Sequence, residues 1–270
     1  MRRLKHIPRK RFGQHFLHNQ TIIERIVAAI QPRKGDHLVE IGPGRGALTR
    51  PLLAAAGALD VIELDRDLIP RLQTECKGIG ELHIHQADAL RFDFTTLVKN
   101  GKRLRVVGNL PYNISTPLLF HLLSQAHAIQ DMHFMLQKEV VQRMVAPPGG
   151  KDYGRLSVML QYRCRMEKLF TVGAGAFSPP PKIESAVVRI TPHAQPAARV
   201  QDEAMFARLV SAAFARRRKT LRNSLKTLLT EQQIRALGLP PDARAEQLSL
   251  QEFAALSNAV PAHRAEFIAC

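Results

Sequence analysis

Four consecutive residues, Asn109-Leu110-Pro111-Tyr112, bring together the side chains best suited to chemistry. Asn109 offers an amide oxygen as a hydrogen-bond acceptor. Pro111 stiffens the chain and keeps Leu110 out of the helical region. Tyr112 offers a flat face for stacking. Such a group can hold an exocyclic amine by acceptors while a ring stacks on the base that carries it. A strand-to-helix turn with a half-buried Tyr is the plainer reading of the same residues, so their surroundings decide between the two.

Those surroundings repeat one pattern. Leu104-Arg-Val-Val-Gly108, just before Asn109, is a short apolar run of strand type. Leu38-Val-Glu-Ile41 is another, and it enters Gly42-Pro43-Gly44-Arg45-Gly46, after which residues 47–56 read as a helix. Strand, glycine turn and helix form the front half of a nucleotide-binding unit, the glycines permitting a tight turn and close approach of a ligand. A third run, residues 59–64, places Glu63 roughly 20 residues past the glycines, where a carboxylate can accept both hydroxyls of a ribose. Asp65 competes for that role. Residues 82–85 form a further strand with Asp88 just past its end, a position suited to an adenine amino group.

The remaining elements extend the alternation. Ile22, Ile23, Ile26, Val27 and Ile30 recur at helical spacing behind Asn19, a plausible cap. Ser115 or Thr116 is placed to cap a helix after Tyr112. Residues 132–136 read as a fifth strand, 138–145 as a helix, 158–163 as a sixth strand and 187–190 as a seventh. Between the last two, Phe177-Ser178-Pro179-Pro180-Pro181-Lys182 is a stiff extended segment that would hold Phe177 in place. Alternating strands and helices predict an α/β fold with a mostly parallel, doubly wound sheet, whose ligands lie beyond the carboxyl ends of the strands. The glycine turn, Glu63, Asp88 and Asn109 all fall there.

Residues 1–192 therefore read as one domain with a basic N-terminal arm, 193–200 as a proline- and alanine-rich linker, and 201–270 as a small all-helical domain. In the last, Thr230 with Gln233 and Ser249 with Glu252 match capping boxes. Its entry carries Arg216, Arg217, Arg218, Lys219 and Arg222. With a formal net charge of +16 over 270 residues, this run points to the phosphates of a nucleic acid. No apolar run reaches the ~18 residues of a membrane span. Cys76, Cys164 and Cys270 show neither metal-ligand spacing nor a disulfide framework, which predicts a reducing, cytoplasmic compartment and no metal; a monomer is expected.

Gly42-x-Gly44-x-x-Ala47 formally fits a nicotinamide dehydrogenase, but that reading leaves Asp88, residues 109–112 and the basic charge unused. A more specific resemblance spans nearly the whole chain. It rests on Arg11-Phe-Gly-Gln-His-Phe-Leu17, Glu40-Ile-Gly-Pro-Gly44, Val61-Ile-Glu-Leu-Asp65, Gly108-Asn-Leu-Pro-Tyr-Asn113, Gln137-Lys-Glu-Val140, Phe177-x-Pro-Pro-Pro-Lys182 and Arg217-Arg-Lys-Thr-Leu-Arg-Asn223. In these the chain resembles the small-subunit ribosomal RNA adenine dimethyltransferases, which use S-adenosylmethionine. The resemblance implies a Rossmann-type methyltransferase domain followed by a helical one. It also implies conversion of two adjacent adenosines, in a hairpin near the 3′ end of that RNA, to N6,N6-dimethyladenosines, with a part in subunit biogenesis. By position it implies cofactor contacts from His15, Leu17, Gly42, Gly44, Glu63, Asp88 and Asn109. It places the target amine at Asn109 and the carbonyl near Leu110, and its base between Tyr112 and Phe177. Many members carry Asn where this chain has His15, a harmless change if the contact is made by the main chain. A related enzyme of large-subunit RNA and an assembly factor whose main task is binding are the alternatives. Lys138 and Glu139 acquire no mechanism.

Overall fold

The computed structural model describes residues 14–216 and 218–261. The basic arm at residues 1–11, Arg217 and Cys270 lie outside the described residues. The chain forms two compact units. One gathers the chain up to Val141 with Glu167–Pro192; the other joins Gln142–Met166 to the chain from His193.

In the first unit the elements run β1 (Phe16–Leu17), α1 (Gln20–Ile30), β2 (Leu38–Ile41), α2 (Thr49–Ala56), β3 (Ala58–Glu63), α3 (Ile69–Glu75), β4 (Glu81–Gln86), β5 (Leu104–Asn109), α4 (Ser115–Ser124) and β6 (Ile129–Gln137). α5 (Lys138–Val145) and α6 (Arg155–Arg163) come next, then β7 (Cys164–Val172), β8 (Phe177–Ser178) and β9 (Ser185–Pro192). The main sheet has the order β4-β3-β2-β5-β6-β9-β7. Strands β4, β3, β2, β5 and β6 pair in parallel, and β9 runs antiparallel to β6. β2 is buried at every position, as expected of a central strand covered on both faces. β1 pairs with β8 in a separate two-stranded ribbon, Leu17 opposite Phe177.

Local chemistry accounts for the helix and strand ends. Asn19 caps α1 by accepting the Ile22 amide at 3.1 Å, a bond worth about 1 kcal/mol in such positions. Arg105 closes the far end of α1. Its guanidinium donates to the carbonyls of Ile30 (2.6 Å) and Gln31 (3.3 Å) and pairs with Asp36 (2.7 Å) and Asp131 (3.0 Å). The amino ends of β5 and β6 are thereby fixed to α1, leaving their carboxyl ends to carry the site.

Two local expectations need correction. Residues 158–163, expected as a strand, belong to helix α6. Val158, Leu160 and Tyr162 are all buried, so a helix buried over much of its surface imitates the period of two of a strand. The additional strand is instead β7, where Arg165, Glu167 and Lys168 are exposed and mask the pattern. Neither Ser115 nor Thr116 caps α4. The cap residue is Ile114, without a side-chain bond, and the Ser115 hydroxyl turns back to donate to the Tyr112 carbonyl at 3.1 Å.

In the second unit α7 (Glu203–Phe214), α8 (Leu221–Ser224), α9 (Glu231–Ala236) and α10 (Leu250–Asn258) follow α6. Residues 142–166, assigned from sequence to the first domain, fall here because α6 shares a core with α7. Val158 and Tyr162 cluster with Phe206, Leu209 and Phe253, and the Tyr162 and Phe206 rings stand 4.8 Å apart. The stretch expected as a linker is hydrogen-bonded to the end of α6: the His193 and Ala197 amides donate to the Arg163 and Tyr162 carbonyls, both at 2.9 Å. Thr230 with Gln233 and Ser249 with Glu252 form reciprocal capping boxes. Among the described residues no helix is long and apolar enough to cross a membrane.

Candidate active site

Because β4, β3, β2 and β5 are parallel neighbours, their carboxyl ends form a row. Asp88, Glu63, the turn Gly42–Gly44 and Asn109 follow these four ends in that spatial order. A single cavity of about 300 Å³ lies over them, within the range of small-molecule sites. His15, Leu17, Gly42, Gly44, Glu63, Asp88, Asn109, Leu110 and Tyr112 all line it. Phe177 does not. Its side chain is 3 % exposed and packs in the core with Leu17 and Val172. Leu17, a lining residue, lies opposite Phe177 in the β1–β8 pair.

The glycine turn stays bare for a steric reason. Gly42 and Gly44 take φ of +66° and +57°, a region that disfavours side chains, and a Cβ on Gly44 would come within 3.1 Å of the Phe16 ring. The Arg45 guanidinium lies over the same ring, 4.3 Å from its centroid. Glu63 joins turn to strand: its carboxylate accepts the Gly44 amide at 3.3 Å and the Asp65 amide at 2.8 Å. Asp65 is engaged differently, accepting from the Gln14 side chain at 3.1 Å and the Asp67 amide at 3.3 Å. Asp88 accepts the Leu90 amide through one oxygen at 3.0 Å.

Glu40, Glu63, Asp65 and Asp88 give the lining four carboxyl groups against one guanidinium, Arg45. Burial pushes Glu40 up to about 8, helped by the charge of Glu63 and opposed by the Thr49 hydroxyl, which donates to it at 2.6 Å. Burial also raises Glu63, against the bonds from Asp65 and Gly44. With Glu40 largely protonated near pH 7, Glu63, Asp65 and Asp88 still outnumber the Arg45 guanidinium, which favours a ligand that carries positive charge.

At the other end of the row, the Asn109 amide nitrogen donates to the His15 carbonyl at 3.0 Å. That bond fixes which way the amide faces and leaves its oxygen as an acceptor at the cavity. The Tyr112 hydroxyl meets the Ser185 hydroxyl at 2.8 Å, and the His15 ring stacks on Tyr112 with centroids 5.9 Å apart at 29°. The phenol is raised by burial, which the Ser185 bond partly offsets. Sequence reasoning missed Ser185, Glu40 and Arg45. Glu40 had a signal, as the one acid in a fully apolar strand; Ser185 had none, because its role depends on a partner 73 positions away.

Among the basic residues of the second unit, Arg216, Arg218 and Lys219 are exposed. Arg222 is exposed too, but pairs with Asp242 at 3.0 Å, which reduces its availability to phosphates. Among the described residues no group of three or more His, Cys, Asp or Glu side chains could hold a metal ion.

The sheet order and the cavity over its carboxyl ends are those of a Rossmann-type methyltransferase with a helical C-terminal region. A "dimethyladenosine transferase" from Plasmodium falciparum shares the fold with a TM-score of 0.75 and 26 % identity, over 90 % of this chain and 96 % of that one. The 23S rRNA methyltransferase ErmE matches in fold, with a TM-score of 0.69. The family model for ribosomal RNA adenine dimethylase matches residues 5–261, and the chain belongs to that family. It is 58 % identical to "Ribosomal RNA small subunit methyltransferase A" of Pseudomonas aeruginosa, over 94 % of this chain and 95 % of that protein. Identity to the protein of the same description from Nitrosococcus oceani is 57 %, over 95 % and 97 %.

Proposed function

We propose that this chain transfers methyl groups from S-adenosylmethionine to the N6 amines of two adjacent adenosines in a hairpin near the 3′ end of small-subunit ribosomal RNA, giving N6,N6-dimethyladenosines. The observation that carries the reading is the Asn109 amide, held by the His15 carbonyl with its oxygen left as an acceptor at the cavity.

The residues present fit the cofactor. Adenine, ribose and a sulfonium that bears both the methyl group and the amino-acid chain follow one another through the donor, and Asp88, Glu63, the glycine turn and Asn109 form one row across the strand ends beneath the cavity. Asp88 retains an oxygen for an adenine amino group, and Glu63 retains lone pairs for ribose hydroxyls. The carboxyl-rich lining suits a cation. S-adenosylmethionine supplies an electrophilic methyl group and a good leaving group, so the protein needs no nucleophile of its own.

What remains for the chain is placement. An exocyclic adenine amine is conjugated with its ring and a poor nucleophile. The Asn109 oxygen accepts one of its hydrogens and a carbonyl near Leu110 another, drawing the nitrogen towards tetrahedral geometry. Tyr112 stacks on the base, which must leave its helix to reach the cavity; such stacking contributes ~1–3 kcal/mol per base. Orientation of this kind lowers barriers by ~7–11 kcal/mol in favourable cases. The released proton passes to water. Arg216, Arg217, Arg218, Lys219 and Arg222 would contact RNA phosphates, and the second unit would serve chiefly to hold the substrate.

Similarity at 58 % and 57 % to small-subunit enzymes favours that subunit over the large one. The test is transfer from methyl-labelled S-adenosylmethionine to small and large subunits lacking these methyl groups, read by mass spectrometry of the nucleosides. Labelled N6,N6-dimethyladenosine in small-subunit RNA is expected. Label in large-subunit RNA, or on cytosine, guanine or ribose, would overturn the assignment.

A further inference from the structure

We infer that Ser185 is a positioning residue for Tyr112, fixing the plane of the aromatic ring on which the target base stacks. The inference rests on the function proposed above for Tyr112. It starts from a placement that packing alone does not explain. Ser185 opens β9, a strand that continues Ala186-Val187-Val188, and its side chain is fully buried at 0 % exposure. A hydroxyl in such a place costs stability unless it is bonded. The Tyr112 hydroxyl, 2.8 Å away, is its partner.

Tyr112 has most need of such a partner. It lies in the turn between β5 and α4, outside regular structure, and is only half-buried. Its backbone is held by the Ser115 hydroxyl on its carbonyl, and one ring face is backed by His15. Neither contact stops the ring from swinging about its side-chain torsions. A bond at the phenol oxygen, at the far end of the ring, does.

Ser185 is itself firmly placed. It pairs with Gln137 in the β6–β9 ladder. The adjacent Glu184 accepts the Lys138 amide through its carbonyl at 3.0 Å and pairs with the Lys138 ammonium at 2.7 Å. Lys138 thus acquires a structural role, and the base platform is referred to the sheet rather than to its own turn. Because stacking depends on ring orientation, a tilted Tyr112 would carry the amine away from the Asn109 oxygen.

The chain has three tyrosines and no tryptophan, so carbon-13 label at tyrosine Cζ gives a small set of signals, with Tyr112 assigned by its loss in Tyr112→Phe. In Ser185→Ala the Tyr112 Cζ resonance should move while those of Tyr153 and Tyr162 stay. The turnover of methyl transfer should fall several-fold to about ten-fold, the effect of one buried hydrogen bond, with KM for RNA and affinity for S-adenosylhomocysteine changed less than about two-fold. In a Tyr112→Phe background the same substitution should add nothing to the loss. An unmoved Tyr112 resonance, or an undiminished Ser185→Ala effect in the Tyr112→Phe background, would overturn the inference. Should Ser185→Ala not fold, Tyr112→Phe removes the same bond from the other side and must give the same turnover loss; full turnover in that variant would overturn it. Failure of the wild-type chain to methylate adenine would refute the proposed function instead, and the resonance would still judge the tie.

Discussion

The side-chain nitrogen of Asn109 is spent on the main-chain oxygen of His15, 94 residues earlier in the chain. The residue at the end of β5 is therefore oriented by a backbone atom, which any residue at position 15 supplies. A change of side chain at position 15 thus leaves the orientation of Asn109 intact. It also separates two functions of position 15: its carbonyl sets Asn109, and its ring backs Tyr112.

Gly108 lets β5 lie close to β2. A Cβ there would come within 2.7 Å of the Ile41 carbonyl oxygen, a backbone atom with little room to retreat. Gly108→Ala should displace Asn109 and lower the single-turnover methyl-transfer rate by roughly 100-fold, the scale of a 1 Å misplacement. An unchanged rate would show that the strand end tolerates the shift.

Glu63 and Asp65 compete for the ribose. Asp65 is engaged by Gln14 and Asp67, whereas Glu63 spans the turn with lone pairs to spare. Calorimetric titration with S-adenosylhomocysteine should show affinity falling more than about ten-fold in Glu63→Ala, in keeping with hydrogen bonds to a charged group. Asp65→Asn should lose less. The reverse ranking would give the role to Asp65.

Glu40 makes stability depend on pH in a stated direction. Its folded value, about 8, lies above the ordinary 4.5, so unfolding releases a proton throughout that window. Its contribution to stability is fully present below 4.5 and lost as pH rises through about 8. Urea denaturation of wild type and Glu40→Gln across this range should show curves that separate in favour of the variant as pH rises. Parallel curves would place the Glu40 carboxyl near its ordinary value.

Arg216 and Arg218 are exposed with basic neighbours, while Arg222 is paired with Asp242. Neutralising Arg216 and Arg218 together should weaken RNA binding. It should also flatten the logarithmic salt dependence by about 0.9 for each phosphate no longer neutralised. Arg222→Ala should change the slope less. Equal effects from all three would mean that the Asp242 pair opens on binding.

The row of site residues was legible in sequence because each follows a short apolar strand. Period and glycine placement were enough to put Gly42, Glu63, Asp88 and Asn109 at one end of a sheet. The order of those strands, and so the order of the ligand's parts, was not, since pairing is a long-range property. The burial of Phe177 was not legible for a similar reason: its neighbours predict an extended segment, but its 3 % exposure depends on packing with residues distant in sequence. α6 was misread because burial at 158, 160 and 162 obscures helical period. Arg105, whose four partners lie in three separate stretches, leaves no local trace at all.

The central claim is that the Asn109 oxygen accepts from the target amine and is held for that purpose by the His15 carbonyl. Its most direct test is the single-turnover methyl-transfer rate of Asn109→Ala and Asn109→Asp on unmethylated small subunits, with RNA affinity measured alongside. Both variants should fall by roughly 100-fold or more with RNA affinity retained, the Asp variant because a carboxylate cannot donate to His15. A rate close to wild type in either variant would contradict the account.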